Sequence, residues 1–253
     1  MLSVNVNKIA TLRNSRGGEV PRVTEAVDAC IAAGARGITV HPRADERHIR
    51  RSDVRDIAGL LAARHARRED LVEFNIEGDP RAELMELVCE VGPTQCTLVP
   101  VTPGEITSHA GWPPDTPTGP LREIIDRLHS HDVRVSLFVD PVPDAVRWAA
   151  AMGAERIELY TEPFARAFAS GPADGEASFA TYAAASTLAH DLGLAVNAGH
   201  DLDLDNLVLF RTLPHLAEVS IGHALIAHAL YVGLGRAVRD YLGACRVPSR
   251  DRH

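Results

Sequence analysis

Apolar and β-branched residues fall into eight short runs along the 253-residue chain: Leu2–Asn7, Gly37–His41, Val72–Glu77, Gln95–Pro100, Arg134–Asp140, Arg156–Thr161, Leu194–Gly199 and Ala217–Gly222. Short runs of this kind read as buried strands. Between them the apolar positions recur at helical spacing, in Val23–Ala33, Val54–His65, Arg81–Glu90, Leu121–His131, Ala145–Ala151, Phe179–Asp191 and Leu204–Thr212. Gly34, Gly153 and Gly193 follow three of these segments, where a glycine stops a helix. Strand–helix alternation predicts a parallel sheet. Eight such units in about 250 residues is the usual size of a (β/α)8 barrel. The competing open, doubly wound sheet uses fewer strands and often a glycine-rich first turn. The first turn here, Asn7-Lys8-Ile9-Ala10, has no G-x-G-x-x-G. The pattern therefore predicts one (β/α)8 TIM-barrel domain over residues 1–245, with extra short helices and a polar tail at 246–253.

Two connections are long. Val101–Pro120 holds five prolines and three glycines, too irregular for a helix, and reads as either an active-site lid or a tolerated surface insertion. Glu162–Glu176, with Phe164 and Phe168, has room for an extra short helix.

Barrel enzymes place their chemistry at the C-terminal ends of the strands. Those ends are polar or titratable here: Asn5 and Asn7, His41, Glu77, Asp140, Tyr160, His200 with Asp201, and Gly222-His223. Polar strand ends are common because they meet water, so the weight rests on His41, Glu77 and His200 occurring together. Arg43, Arg47, His48, Arg50 and Arg51 follow His41 closely, which suggests chemistry on an anion, against the alternative of a solvated basic loop. Gly222-His223-Ala224 opens the last barrel helix. Backbone N–H groups at such a helix start bind phosphate, unless the glycine only permits a tight turn. Arg13 and Arg16 either cover a second anion or are exposed helix charges. The histidines and Glu77 could also ligate a metal. Against that, the first strand carries Asn5-Val6-Asn7 where metal hydrolase barrels often have H-x-H, and no H-x-x-x-H occurs. His65, His129, His131 and His190 fall on helical segments and read as surface residues.

Composition narrows the classes. A formal net charge of −8 and an aromatic content of 5% disfavour a nucleic-acid binder. Cys30, Cys89, Cys96 and Cys245 form no C-x-x-C and sit in apolar contexts, which predicts buried free thiols. Met1–Lys8 lacks a basic region followed by a long apolar core, and the apolar run Ala224–Leu234 is too short to span a bilayer. A cytoplasmic setting is expected. That run could be a subunit interface or could simply pack on the barrel.

Taken together, Val4–Gly17, Gly37-Ile-Thr-Val-His-Pro-Arg43 with Asp45, Arg47, His48 and Ile49, Phe74–Gly78, Leu98–Pro100, Val135–Phe138, Val196–His200 and Ile221–Ala224 resemble the pyridoxine 5′-phosphate synthase family of vitamin B6 biosynthesis, in family order over essentially the whole chain. The resemblance implies a transferase-type, ring-closing enzyme. It would join 1-deoxy-D-xylulose 5-phosphate to 3-amino-2-oxopropyl phosphate, giving pyridoxine 5′-phosphate, phosphate and water without metal or organic cofactor. It implies His41 and Glu77 as proton acceptors and His200 as proton donor. Asn7, Lys8, Arg43, His48 and Thr107 would hold the deoxyxylulose phosphate; Asn5, Arg16, Asp201, Gly222 and His223 would hold the aminoketone phosphate. It also implies a homo-octamer. The chain departs from the family pattern at Asn7-Lys8, where other members have Asp-His, and at Asp201, where others have glycine. Asp201 is expected to offer only its backbone N–H to a phosphate. A sugar-phosphate aldolase or isomerase is the alternative enzyme, but it would call for a mid-strand lysine, and Lys8 is the chain's only lysine. A barrel that merely binds vitamin B6 phosphates is the non-enzymatic alternative.

Overall fold

The computed structural model describes residues 1–67, 71–100 and 110–246. In chain order the elements are β1 Leu2–Asn5, α1 Asn7–Asn14, α2 Val23–Ala32, β2 Gly37–Val40, α3 Arg51–Ala66, β3 Glu73–Gly78, α4 Ala82–Val91, β4 Gln95–Leu98, α5 Thr118–His129, β5 Arg134–Val139, α6 Pro143–Ala151, β6 Arg156–Tyr160, α7 Glu162–Ser170, α8 Pro172–Asp191, β7 Ala195–Gly199, α9 Leu207–Phe210, β8 Leu216–Ile221, α10 His223–Val232 and α11 Leu234–Ala244. Every strand pairs in parallel with its sequence neighbour. The cylinder closes where β1 pairs with β8, with Val4 opposite Ile221. This is a (β/α)8 TIM barrel. The outward strand residues, such as Val4, Ile38, Ile76, Leu98, Val135, Ile157 and Val196, are buried beneath the helices. Gly34, Gly153 and Gly193 have φ of +108°, +84° and +83°, the left-handed region that lets the chain leave a helix and enter a strand.

Part of the barrel interior is a polar network rather than a layer of branched apolar residues. Ser3 Oγ meets Thr39 Oγ1 at 2.8 Å, and Thr97 Oγ1 donates to Asn75 Oδ1 at 3.0 Å. Arg134 bonds Gln95 and Glu73, and Arg156 lies 3.2 Å from Glu218. Buried polar groups are tolerated when they satisfy one another, and these also fix the strand register.

Several boundaries differ from the sequence pattern. The first strand ends at Asn5, because the chain has already turned into α1 at Asn7. Pro120 lies inside the first turn of α5, so the irregular connection is shorter than expected; a first-turn proline loses no intrahelical bond. Glu162–Glu176 is two helices meeting at Gly171, one of them continuing as the 20-residue α8. α9 is only a four-residue turn of helix. Residues 101–109 and 247–253 lie outside the described residues, so neither a lid nor the tail is characterised. The end of the long connection docks on the barrel, with Trp112 N donating to Phe138 O at 2.8 Å and Trp112 Nε1 to Leu98 O at 2.9 Å. All four cysteines are free; Cys30 and Cys96 are buried, whereas Cys89 and Cys245 are only half-buried at the ends of helices. No helix among the described residues is long and apolar enough to cross a membrane.

Arg13 does not line the cavity at the strand ends, nor does it lie exposed. Its guanidinium grips Asp53 at 2.5 and 2.9 Å and donates to His48 O at 3.1 Å, and the two charged side chains are 4% and 9% exposed. Asp53 also accepts Arg50 N–H at 2.8 Å, closing the start of α3. This buried pair ties α1, the loop after β2 and α3 together. Removing one partner strands a buried charge, so Asp53→Ala should lower unfolding free energy by about 3–5 kcal/mol in a denaturant titration. The double variant Arg13→Met/Asp53→Leu should recover most of that loss.

Candidate active site

The C-terminal ends of the strands open on a cavity of about 1160 Å³. At its β1–β2 side, two side chains fix the backbone. Asn5 Oδ1 accepts Asn7 N–H at 3.0 Å, and Asn7 Oδ1 accepts His41 N–H at 2.9 Å. Pro42 then turns the chain, and its carbonyl is held by Arg81 at 2.5 Å. His41 is thereby fixed with Nδ1 3.4 Å from Glu77 Oε1, both side chains 6% exposed. His41 Nε2 is buried and has no partner among the described residues.

His48 is held by its own loop. Its Nδ1 accepts Ile49 N–H at 2.9 Å, while its carbonyl accepts from Asn14 at 2.8 Å and from Arg13. An imidazole accepting at Nδ1 is neutral with its proton on Nε2. Burial, reinforced by the charges of His41, Arg43 and Lys8, pushes its pKa down to about 4, in accord with that tautomer.

On the β6–β7 side lie Glu158 and His200. The Glu158 carboxyl occupies the place where a Cβ on Gly199 would stand, so a side chain there would displace it. His200 rests on Phe138 and Tyr160, ring centroids 4.8 and 5.5 Å away. Its φ is +83° and that of Asp201 is +58°. Two successive left-handed residues are uncommon outside glycine. Thr161 holds them, its N–H donating to Gly199 O at 3.1 Å and its single O–H shared between Gly199 O and His200 O, while Asn206 Nδ2 donates to Asp201 O at 3.0 Å. The left-handed φ explains why glycine suits the position of Asp201.

The two buried carboxyls titrate in opposite directions. Burial alone would raise Glu77, but the hydrogen bond from His41 and the charges of His41, His200 and Arg43 hold it below the usual carboxylate range. Burial and the charges of Glu77 and Glu218 hold Glu158 well above that range. The same interior thus favours the ionised form of Glu77 and the protonated form of Glu158. Burial lowers His200, against the charges of Glu77 and Asp201.

Of the residues singled out from sequence, His41, Glu77, His200, Asn5, Asn7, Lys8, Arg43, His48, Asp201, Gly222 and His223 all line this cavity. Gly222 caps α10, and a Cβ there would press on Asn5 at 3.1 Å. Arg16 is exposed beyond α1 and is not among the lining residues, and Thr107 lies outside the described residues. The basic loop divides: Arg43 and Arg47 line the cavity, Arg47 paired with Asp45 at 2.6 Å, whereas Arg50 bonds Asn14 and Arg51 is exposed. His65, His131 and His190 are exposed; His129 is half-buried against Glu155. The sequence places Glu158 in the polar end of the sixth strand but gives it no role, and that position was the available signal. Among the described residues, no group of three or more His, Cys, Asp or Glu side chains is arranged to hold a metal ion.

A parallel barrel whose strand ends and the loops after them bring two glutamates with opposed proton affinities and four imidazoles into one cavity defines a barrel enzyme equipped for proton transfer. Residues 2–247 match the family model described as pyridoxal phosphate biosynthesis protein PdxJ, and the chain belongs to that family. It is similar to the pyridoxine 5′-phosphate synthases of Porphyromonas gingivalis, 51% identical over 95% of this chain and 96% of that one, and of Leptospira biflexa, 49% identical over 95% of each. Among solved structures it resembles a putative fructose-1,6-biphosphate aldolase from Coccidioides immitis, with a TM-score of 0.62 at 10% identity over 97% of this chain and 89% of that one. It also resembles the YdjI aldolase of Escherichia coli K12, at 0.60 and 11% over 97% and 88%. Likeness at that identity extends to the barrel alone.

His48 refuses a proton in the folded chain down to about pH 4 but accepts one near 6.5 when unfolded. As pH falls below 6.5 the unfolded state binds more protons, so stability drops with acidification through that window. Denaturant midpoints between pH 7 and 4 should decline accordingly, and His48→Asn should flatten the decline. An unchanged slope in the variant would remove His48 from this account.

Proposed function

We propose that this enzyme condenses 1-deoxy-D-xylulose 5-phosphate with 3-amino-2-oxopropyl phosphate to give pyridoxine 5′-phosphate, phosphate and water. The observation that carries the reading is His41, with Nδ1 against the Glu77 carboxylate and Nε2 unpartnered among the described residues, in the same cavity as Glu158 and His200. In this reaction an amine adds to a ketone, water and phosphate leave, and a carbon acid loses a proton before the ring closes. Each step moves protons at near-neutral pH, for which histidines and carboxyls of opposed ionisation are suited.

In this reading Glu77 and His41 accept protons. His200 donates; an imidazolium whose pKa is lowered by burial is the stronger acid. Glu158, as a neutral acid, donates a hydrogen bond to an oxygen that gathers negative charge. The phosphates take opposite sides. Asn7, Lys8, Arg43 and His48 hold the deoxyxylulose phosphate, with His48 Nε2–H as a neutral donor, and Thr107 is assigned there by resemblance. Asn5, Gly222, His223 and the backbone of Asp201 hold the aminoketone phosphate at the start of α10, where the helix dipole favours an anion. Residues 1–245 act as one barrel domain, followed by the tail. A cytoplasmic homo-octamer accords with the resemblance and with α10, where Leu230, Tyr231 and Val232 are 71%, 88% and 41% exposed.

Mixing the purified protein with both substrates and following product and released phosphate together tests the reading. Equal amounts of the two are expected. A folded protein that forms no pyridoxine 5′-phosphate overturns it. His41→Ala, Glu77→Gln and His200→Ala should each lower turnover by about 10²-fold or more with the fold intact. Full turnover in any one would remove that residue from the mechanism.

A further inference from the structure

The chain's single lysine, Lys8, is the second residue of α1, is exposed, and lines the same cavity as His41, Arg43 and His48. Its charge is felt at His48. The resemblance leads one to expect a histidine there, which also carries a positive charge when protonated but forms no stable imine. An alkylamine reacts reversibly with aldehydes.

The proposed reaction fixes which product atom comes nearest Lys8. The aminoketone contributes its nitrogen, three carbons and phosphate as one unbroken unit, so its phosphate becomes the product's phosphate. The deoxyxylulose carbon that carried the departing phosphate becomes the ring's hydroxymethyl carbon. With the two phosphates held as proposed, that carbon occupies the side of Asn7, Lys8, Arg43 and His48. Pyridoxal phosphate, the compound for which the family is described, differs from pyridoxine 5′-phosphate by having an aldehyde at this same carbon.

We propose that pyridoxal 5′-phosphate enters the product site and forms a reversible imine with Lys8, so that the aldehyde end product inhibits its own synthesis in this chain. The inference rests on the substrate placement above. The Lys8 Nζ, as free amine, adds to the aldehyde carbon to give a carbinolamine, which loses water to the imine. No oxidant is involved. Dilution reverses the step, and borohydride fixes it as a secondary amine. The aldehyde itself must be supplied by a separate oxidation of the hydroxymethyl carbon. The chain's other primary amine, at Met1, lies at the start of β1, the opposite end of the barrel, with its N–H on Ala217 O at 2.6 Å, and serves as an internal control.

The test incubates the full chain with pyridoxal 5′-phosphate, reduces with borohydride and maps the added mass by peptide analysis. One equivalent on Lys8 is expected, at least tenfold diminished by excess pyridoxine 5′-phosphate, which fills the site but has no aldehyde. Lys8→Arg, which keeps the charge, should carry none in that peptide. Before reduction, turnover of the natural chain should fall with added aldehyde and recover on dilution. An unmodified Lys8, or modification indifferent to pyridoxine 5′-phosphate, overturns the inference. The condensation assay on the same preparation separates the two readings. Turnover without a protected Lys8 adduct removes only the inference. A protected adduct without turnover keeps the aldehyde site and removes the proposed substrates.

Discussion

The site depends on one electrostatic constraint: two glutamates share a buried volume that will not hold two negative charges. Glu77 wins the charge because His41 lies against it and His200 and Arg43 face it. Glu158, with no cation among the groups that set its pKa, is pushed toward its protonated form. The low-dielectric interior that makes two charges intolerable thus creates two different reagents from one residue type. The histidines answer to the same interior, which opposes charging His48 and His200.

Such a balance requires fixed positions, and the scaffold supplies them by short, local means. Asn5 and Asn7 relay hydrogen bonds from the end of β1 to the backbone of His41. Arg13, buried against Asp53, holds the carbonyl of His48. Thr161 and Asn206 clasp two left-handed residues at the end of β7, and Gly199 leaves the space Glu158 fills. Below them the interior of the barrel is itself polar, with Arg134, Arg156, Glu73 and Glu218 satisfying one another. Electrostatic order therefore continues beneath the reacting groups instead of ending at them.

The arginine-rich loop after β2 shows how a sequence cluster is dismantled by folding. Five basic residues in ten look like one anion site. Folded, Arg47 is neutralised by Asp45, Arg50 is turned to Asn14, and Arg51 starts a helix. Arg43, the Asp45-paired Arg47 and His48 line the cavity. Arg13, also a candidate for anion contact, is a structural tie. A count of charges along a chain does not report which of them have partners, because a partner can be a neighbour, as Asp45 is for Arg47, or lie on another element, as Asp53 does for Arg13.

The barrel was legible in the sequence because strand and helix periods are local properties, and eight repeats in this length admit few other arrangements. His41, Glu77, His200 and the start of α10 were legible because strand ends are visible as the points where apolar runs stop. The starts of α5 and α8 were placed too late, at Leu121 and Phe179, since a proline in a first turn reads as a break until the helix start is known. Glu158 went unread for a different reason. A glutamate inside an apolar run is ambiguous until the barrel closes, turns it inward and sets it near Glu77. The sequence alone thus determined most of the groups that stand at the mouth of the barrel, Glu158 and Arg16 excepted. Only the tertiary structure decided which of them carry charge, because charge here follows from burial and from neighbours distant in the chain.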